Sequence, residues 1–177
     1  MKDFLVFIYL NILLPVFSLN LSNSKINDNH DSEKTIAEYI LGYGYSFQEH
    51  RVVTDDGYVL PLFRISGKLN EKLIEKPPIF IIHGIFDTGF TYFIKAHPEK
   101  NLGFLLSNMG YDVWVGKNRG TMIAKEHLNK TDYNYIHIKS KYWDFSFDHM
   151  AKYDLPAMIN YVLNHTSFKK ITYFGHS

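Results

Sequence analysis

The sequence predicts an α/β fold: the N-terminal part of a mostly parallel sheet, preceded by a β-hairpin. The first observation is an Asp-Gly turn between two apolar-rich segments, which is typical of a hairpin. The second is a series of strand-like segments that alternate with helical patterns, as in sheets built from right-handed crossovers. The third is composition, because 177 residues with 46% hydrophobic and 21% charged side chains suffice for one domain with a sizeable core.

Charge and cysteine content exclude several classes of protein. The 19 basic and 18 acidic residues give a net charge of +1, which predicts no nucleic-acid partner. The chain has no cysteine, so a disulfide framework, thiol chemistry and cysteine-based zinc sites are excluded. No other pattern predicts a cofactor or a metal site.

The N-terminus has the pattern of a signal peptide. Lys2 precedes an apolar run over residues 4–14, and Ser18 supplies a small residue for cleavage. The run is short for a membrane span and has the length of a signal-peptide core. We therefore predict a cleaved signal peptide over residues 1–18, with a signal anchor or a buried helix as the alternatives. No transmembrane segment is then expected in the processed chain.

The region after the signal peptide is polar. Residues 19–34 are rich in Asn, Ser and Asp and predict a solvated linker, so the folded region spans residues 35–177. Three Asn-x-Ser/Thr sequences fit passage through the secretory pathway. Their acceptors are Asn20, Asn129 and Asn164.

The folded region opens with a helix and a hairpin. Apolar spacing predicts a short helix over residues 35–41, ended by Gly42. Residues 47–53 and 58–65 predict two strands. The turn between them, residues 54–57, ends in a glycine that accepts the positive φ a hairpin needs.

A continuous apolar run over residues 79–85 predicts a strand that is buried on both faces. His83 and Gly84 lie at its carboxyl end, where glycine lets the backbone approach a reacting group closely. The N–H of Ile85 is therefore a candidate donor to a developing oxyanion. The alternative is an ordinary loop with an exposed His83.

The next helix and strand both end at glycines. Residues 101–109 carry apolar side chains at helical spacing, and Gly110 ends the helix. The apolar stripe consists of Leu102, Leu105, Leu106 and Met109. Residues 111–115 predict a strand, followed by the glycine-bounded loop 116–120. Because this loop lacks the glycine spacings of phosphate-binding loops, we expect Arg119 to donate hydrogen bonds to loop carbonyls.

A further helix is predicted to start at Asp154, whose side chain would cap it, with Pro156 in the first turn. Its apolar stripe is a core face that consists of Leu155, Met158, Ile159 and Val162. Asp144, Asp148 and Asp154 have two alternative roles, as paired carboxylates or as metal ligands. Capping and surface positions explain them with fewer assumptions.

The final predicted strand, residues 171–174, leads into Gly175, His176 and Ser177. These three form the first half of Gly-x-Ser-x-Gly, a tight turn that lifts a nucleophilic serine above a sheet. By itself such a tripeptide after a strand is more often an ordinary turn. In a parallel sheet, however, Ser177 and the loops after the two preceding strands share the carboxyl edge, where ligands bind.

Residues 36–177 resemble the acid lipase family of α/β-hydrolases, the group of gastric and lysosomal acid lipases. The matching stretches follow one another in family order: residues 54–60 (TDDGYVL), 83–86 (HGIF), 110–116 (GYDVWVG), 118–120 (NRG), 143–146 (WDFS), 153–157 (YDLPA) and 175–177 (GHS). The resemblance implies an α/β-hydrolase fold truncated after the nucleophile strand. It implies Ser177 as nucleophile, Ile85 N–H as one oxyanion donor, and Gly84 and Gly175 as the loop and elbow glycines.

The same resemblance implies hydrolysis of triacylglycerols or sterol esters through a serine acyl-enzyme, in a secreted or lysosomal setting. The implied partners are a lipid ester and, transiently, a lipid–water interface. The family's catalytic acid, catalytic histidine and second oxyanion donor lie beyond the position of Ser177. The chain is therefore expected to be an incomplete one that is inactive alone. We expect neither His83 nor His176 to act as the base, and expect the His176 ring to pack beneath the strand.

The chain departs from the family pattern at loop positions. Lys117 occupies the asparagine position of Gly-Asn-x-Arg-Gly, Phe147 and His149 stand where Trp and Glu are usual, and Thr88 replaces a serine. Two alternatives to a lipase remain. One is a catalytically inactive, secreted binding module on the same fold, and the other is a different serine hydrolase such as a peptidase or thioesterase.

Overall fold

The computed structural model describes residues 36–72, 74–84, 87, 92 and 100–176. The strands within them are β1 Gln48–Val53, β2 Tyr58–Ile65, β3 Pro78–Ile82, β4 Asp112–Gly116, β5 Glu126–His127 and β6 Thr172–Gly175. They form one sheet of order β1-β2-β4-β3-β6, and the short β5 pairs with β2. The strands β2, β3, β4 and β6 are rich in β-branched and aromatic residues, which suit a pleated surface.

Strand directions confirm the predicted α/β class. β3 runs parallel to both β4 and β6, and parallel neighbours require the crossover connections that the alternating pattern predicts. The hairpin of β1 and β2 is antiparallel, and β2 joins the parallel strands through an antiparallel pairing with β4. Gly57 at the hairpin turn adopts φ +92°, a conformation that favours glycine.

Helices flank the sheet: α1 Ile36–Gly42, α2 Leu102–Asn108, α3 Phe147–His149 and α4 Leu155–His165. A π-helical turn, Met150–Asp154, joins α3 to α4. The α-helix α4 begins at Leu155, directly after Asp154 as predicted, but helical backbone already runs from Phe147 through the π-helical turn. Pro156 lies in the first turn of α4, as predicted, where its missing N–H is tolerated.

A capping box starts this helical run. The Ser146 N–H donates to Nδ1 of His149 at 3.0 Å, and the Ser146 side chain accepts from the His149 backbone. Glutamate or glutamine usually accepts the first of these bonds. Here the imidazole nitrogen does so, and the departure from the family pattern at His149 preserves the helix start.

Alternate residues of the central strands point to opposite faces, which gives the sheet an apolar layer on each side. On one face, Ile79 and Val113 pack with α1 and α2, and the ring of Phe104 stacks on Tyr45 with centroids 4.2 Å apart. On the other face a second cluster packs against α4. It includes Tyr58, Leu60, Leu62, Phe80, Ile82, Trp114, Met158, Ile159 and Val162.

The helix stripes are predicted correctly in α4 and in part wrongly in α2. In α4, three of the four predicted residues are buried, and Leu155 packs against the same cluster. In α2, Leu105 and Met109 are exposed, whereas Phe104 is buried together with Gly103. The difference arises because α2 turns its one large aromatic ring toward the sheet.

β6 lies at the edge of the described sheet, where its one partner is β3. Its residues are exposed or half-buried, so the prediction of a buried strand over residues 171–174 is wrong. His176 is also exposed, contrary to the expectation that its ring packs beneath the strand. Both differences have one cause, since no described element pairs with the outer edge of β6.

The predictions for the N-terminus, a signal peptide over residues 1–18 and a linker over residues 19–34, lie outside the described residues. Among the helices that the structure does describe, none combines the length and apolarity of a membrane span. The described helices are instead short and pack on the sheet.

Candidate active site

The register of the parallel strands brings their carboxyl ends into one row. Ile82, the last residue of β3, lies opposite Gly116 of β4 on one side and Gly175 of β6 on the other. Neighbouring strands are about 4.8 Å apart, so the segments that leave this row start side by side. Those segments begin with Lys117, His83 and His176.

Two hydrogen bonds converge on the main-chain oxygen of Ile82 and fix the end of β3. The His176 N–H and the Tyr92 hydroxyl each donate to it, both at 3.3 Å. The Tyr92 ring also meets Phe174 edge-on, with centroids 6.4 Å apart. Burial raises the pKa of Tyr92 to about 12, so its hydroxyl keeps its proton across the physiological range.

Gly116 and Gly175 occupy positions that a side chain would crowd. A Cβ at Gly116 would lie 2.7 Å from Cζ of Phe80 and 2.8 Å from Sδ of Met158, both in the core. A Cβ at Gly175 would lie 2.7 Å from the hydroxyl oxygen of Tyr173. Packing therefore favours glycine at the first position of the predicted nucleophile turn, where alanine would displace the Tyr173 ring.

His83 is buried, which contradicts the alternative of an exposed side chain in an ordinary loop. Its Nδ1 lies 2.7 Å from the Gly84 oxygen, and its Nε2 accepts the Asn118 N–H at 3.3 Å. Because Nε2 is an acceptor, the proton of the neutral ring is on Nδ1 and is donated to Gly84. Burial lowers the pKa of His83, and the charge of Lys117 acts in the same direction. Through hydrogen bonds at both ring nitrogens, the neutral ring thus joins the loop after β3 to the loop after β4.

A hydrogen bond follows the end of β3. The Asp87 N–H donates to the Gly84 oxygen at 3.0 Å, and Gly84 itself is buried. Ile85 lies between these two residues in the sequence, but its placement is outside the described residues, as is that of Ser177. The roles of Ile85 and Ser177 stay predictions.

Lys117 is a site residue whose importance the sequence analysis missed, since it identified only a departure from the family pattern. Its side chain is fully buried, and Nζ lies 5.3 Å from the centroid of the Phe63 ring. Burial lowers the pKa of Lys117 to about 7, although the charge of Asp87 opposes the shift. The sequence feature that could have revealed it is a lysine directly after an apolar strand. How deeply the lysine side chain is buried depends on how the following loop folds back over the sheet.

Arg119 holds the loop after β4 in place and is itself buried. Its Nε and Nη2 contact Oδ1 of Asp154 at 2.8 and 2.6 Å, and its backbone N–H donates to Oδ2 at 3.1 Å. Nη1 and Nη2 also donate to the two oxygens of Asp56 at 2.7 and 2.9 Å. The guanidinium lies 3.8 Å over the Tyr58 ring. The prediction of carbonyl acceptors is therefore wrong, because the partners are carboxylates that offset a buried charge.

This ion network joins the hairpin turn, the loop after β4 and the last helical run. The Asp154 side chain bonds to Arg119 and makes no capping bond, which corrects the predicted cap. Burial alone would lower the pKa of Arg119, but the two carboxylates outweigh it and raise that pKa. Partial burial of Asp56 is likewise outweighed by hydrogen bonds from Arg119 and Thr54, so the pKa of Asp56 is lowered. Arg119 and Asp56 are therefore charged near neutral pH. Burial raises the pKa of Asp154, against the hydrogen bonds from Arg119, which favour its carboxylate form.

The remaining predicted residues lie on the surface. Asn129 and Asn164 are exposed, and Asn20 is outside the described residues. Asp144 and Asp148 are exposed as well. Across the part of the chain that the structure describes, no group of three or more His, Asp or Glu side chains could hold a metal ion.

Comparison with known families covers the same region. Residues 36–96 match a family described as a partial α/β-hydrolase lipase region, and residues 77–177 match the α/β-hydrolase fold family. The two matches meet at β3 and together include every strand and loop of the candidate site.

Curated relatives with similar sequences are lipases by name. A gastric triacylglycerol lipase of Bos taurus is 41% identical over 86% of this chain and 38% of the relative. A protein of Crotalus adamanteus named "Putative lysosomal acid lipase/cholesteryl ester hydrolase" is 41% identical over 92% of this chain and 40% of the relative. Human lipase member J is 40% identical over 80% of this chain and 38% of the relative. The chain thus spans about two fifths of the length of these relatives.

Proposed function

The chain belongs to the acid lipase family of α/β-hydrolases, and on this premise we propose that the protein hydrolyses lipid esters through a serine acyl-enzyme. The proposed substrates are triacylglycerols or sterol esters, the esters named in two of the relatives. The proposed nucleophile is Ser177. No cofactor or metal ion takes part in the proposed reaction.

The observation that supports this proposal is the shared row of Ile82 and Gly175. Gly84 and Ser177 each follow that row by two positions in the sequence. The segments that lead to Ile85 and to Ser177 therefore leave the same edge from neighbouring parallel strands. An acyl-transfer site needs this arrangement, because the oxyanion forms on the carbonyl oxygen bonded to the carbon that the serine attacks.

The proposed reaction has two steps. The Ser177 oxygen attacks the ester carbonyl carbon while a histidine takes its proton, and the Ile85 N–H donates to the oxyanion. The C–O bond to the alcohol then breaks, and the histidine gives the proton to the leaving alcohol. Water attacks the acyl-enzyme in the same way and releases the fatty acid. Both nitrogens of His83 already form hydrogen bonds with backbone groups, so His83 is not the base. We assign the role of the base to the family's catalytic histidine, which lies beyond the position of Ser177.

We further propose that the 177 residues alone lack this activity. In the family pattern the catalytic acid, the catalytic histidine and the second oxyanion donor all follow the serine. Without the base and the second oxyanion donor, the rate acceleration that remains is the small contribution of substrate binding and one backbone donor.

Covalent labelling tests the proposed nucleophile directly. A phosphonate ester that mimics a lipid ester should label the full-length protein at Ser177, as located by mass spectrometry of its peptides. Long-chain acylglycerols and cholesteryl esters should be hydrolysed faster than peptides or acyl thioesters. Labelling at another serine contradicts the assignment, and hydrolysis confined to peptides or thioesters favours the alternative hydrolases. A folded protein that is neither labelled nor active favours the alternative of an inactive binding module.

Ile85 tests the oxyanion assignment. In the full-length protein, Ile85→Pro removes the proposed N–H donor, and kcat should fall by a factor on the order of 10²–10³. Ile85→Leu keeps the N–H and a similar side-chain volume, so it serves as the matched control with nearly unchanged kcat. Circular dichroism verifies that the proline variant is folded. A folded proline variant with full activity would show that the donor is elsewhere.

The signal-peptide pattern and the Asn-x-Ser/Thr sequences lead us to propose entry into the secretory pathway, with an extracellular or lysosomal destination. Expression in a eukaryotic cell should yield a product that lacks about the first 18 residues. Glycosidase treatment should lower its mass, and Asn129→Gln or Asn164→Gln should remove part of that change. Recovery of an intact, unglycosylated cytosolic protein would contradict the proposal.

A further inference from the structure

The segment after β5 carries large apolar side chains that are exposed to solvent. We call residues 128–141 the anchor loop. Ile136 is 68% exposed and Ile138 is 89% exposed, and Leu128 and Tyr135 of the same loop are exposed too. Single exposed apolar residues are ordinary, but a group of them on one loop is typical of a surface that binds a partner or a lipid.

The anchor loop is held by hydrogen bonds, so the exposed isoleucines have a defined presentation. The Trp143 indole N–H donates to the Tyr135 oxygen at 2.9 Å. The Ile136 N–H donates to Oδ1 of Asn134 at 3.0 Å, and the His137 N–H donates to the Asn134 main-chain oxygen at 3.3 Å. These bonds satisfy backbone groups within the loop while leaving the isoleucine side chains outside. These bonds lower the conformational entropy that the backbone near Ile136 would lose when the loop docks.

Positive charge surrounds these apolar side chains. Between residues 125 and 141 there are four lysines against two carboxylates, Glu126 and Asp132, which leaves a surplus of two positive charges. Lys130 and Lys141 are exposed, and their ion pairs with those carboxylates are long, at 3.5 and 3.9 Å. Long pairs between exposed side chains hold the lysines weakly, so the ammonium groups can turn to an external anion.

The sheet places the anchor loop on the same side as the candidate active site. β5, which leads into the loop, pairs with Tyr58 and Val59 at the start of β2. Because β2 is antiparallel to β4 and Leu62 lies opposite Gly116, the start of β2 extends beyond the carboxyl end of β4. The loop therefore leaves the sheet on the side where the segments after β3 and β6 also begin.

We propose that the anchor loop docks the protein on an anionic lipid surface, with Ile136 and Ile138 entering the interface and the lysines contacting anionic headgroups. The combination of protruding apolar residues, an adjacent tyrosine and a lysine surplus matches the layers of such a surface. The proposal rests on the proposed lipase function, since docking on this side would bring the candidate active site to its substrate. The docking itself is a binding event that can be measured without hydrolysis.

The test is flotation of the full-length protein with phosphatidylcholine vesicles, with and without about 30% phosphatidylserine. The protein should bind the anionic vesicles at least about tenfold more strongly, and added salt should weaken the binding. Replacing both isoleucines, Ile136→Asn with Ile138→Asn, should lower the partition coefficient by roughly tenfold to a hundredfold, because each buried isoleucine contributes on the order of tenfold. The matched control is Ile74→Asn, which alters a 62% exposed isoleucine before β3 and should bind normally.

Several outcomes would overturn the proposal. They are a protein that ignores anionic vesicles, a double variant that binds like the natural protein, and a double variant that instead converts a dimer into a monomer in gel filtration. Asn129→Gln is run alongside, because a glycan next to Leu128 could obstruct the loop. The proposal requires that replacing Ile136 and Ile138 weakens vesicle binding both in the glycosylated protein and in the Asn129→Gln variant. Hydrolysis of a water-soluble short-chain ester separates the docking proposal from the proposed lipase function. If both are right, the double variant keeps this hydrolysis. If the lipase function is wrong, the natural protein lacks it as well.

Discussion

Replacing Ser177 with alanine in the full-length protein is expected to lower kcat for ester hydrolysis by a factor on the order of 10⁶. The physical reason is that no acyl-enzyme forms without the hydroxyl. The remaining groups give only the residual acceleration of an oxyanion site and binding. KM should change little, because the serine hydroxyl contributes little to binding of the ground state. The measurement is steady-state hydrolysis of a long-chain ester by both proteins.

Ser167→Ala is the control for this experiment, since Ser167 is an exposed serine in the segment before β6 and should be dispensable. The 177 residues alone should behave like the Ser177→Ala variant with the same ester. If the alanine variant keeps substantial activity, Ser177 is not the nucleophile. Activity of the isolated 177 residues that depends on Ser177 would place a base among their own histidines.

The second large effect is expected at Arg119. Arg119→Met leaves the carboxylate of Asp154 buried without a partner, and removing one member of a buried ion pair costs about 3–5 kcal/mol. Urea unfolding should show this loss as a lower midpoint. The same change at Arg51, whose ion pair with Glu126 is exposed, should alter stability by about 0.5 kcal/mol or less.

A double variant keeps this prediction testable if Arg119→Met fails to fold. Adding Asp154→Leu removes the unpaired charge, so the double variant should be more stable than Arg119→Met alone. Equal stability of the single and double variants would mean that the Arg119–Asp154 pair is not the source of the loss. Arg119→Met with natural stability would mean that the network contributes little.

The Asp56 member of the network adds a dependence on pH. Its pKa is lower in the folded protein than in the unfolded chain, so its contribution is complete above the unfolded value of about 4 and is lost as the pH falls through the folded value. The difference in stability between the natural protein and Asp56→Asn should therefore shrink as acid is added. A difference that stays constant to low pH would show that Asp56 is not held charged by Arg119 and Thr54.

Local patterns predicted most of the sheet. The Asp-Gly turn and two apolar-rich segments predicted β1 and β2, and alternation of strands with helices predicted that β3, β4 and β6 are parallel. These predictions succeed because hairpin turns and the two-residue period of strands depend on neighbouring residues alone. The edge exposure of β6 was not predictable in this way, since it depends on which strands pair with it.

The candidate site likewise combines features that local sequence patterns predicted with features that only the tertiary structure shows. The sequence by itself predicted which residues carry the proposed chemistry, because Gly84, Gly175 and the predicted roles of Ile85 and Ser177 belong to short contiguous motifs. Only the tertiary structure decided that Arg119 binds the carboxylates of Asp56 and Asp154, which are 63 and 35 residues away along the chain. It also decided that Lys117 is fully buried and that both nitrogens of His83 are engaged. Such pairings cannot be predicted from a local pattern, because burial and charge pairing depend on segments that meet only when the sheet and its helices assemble.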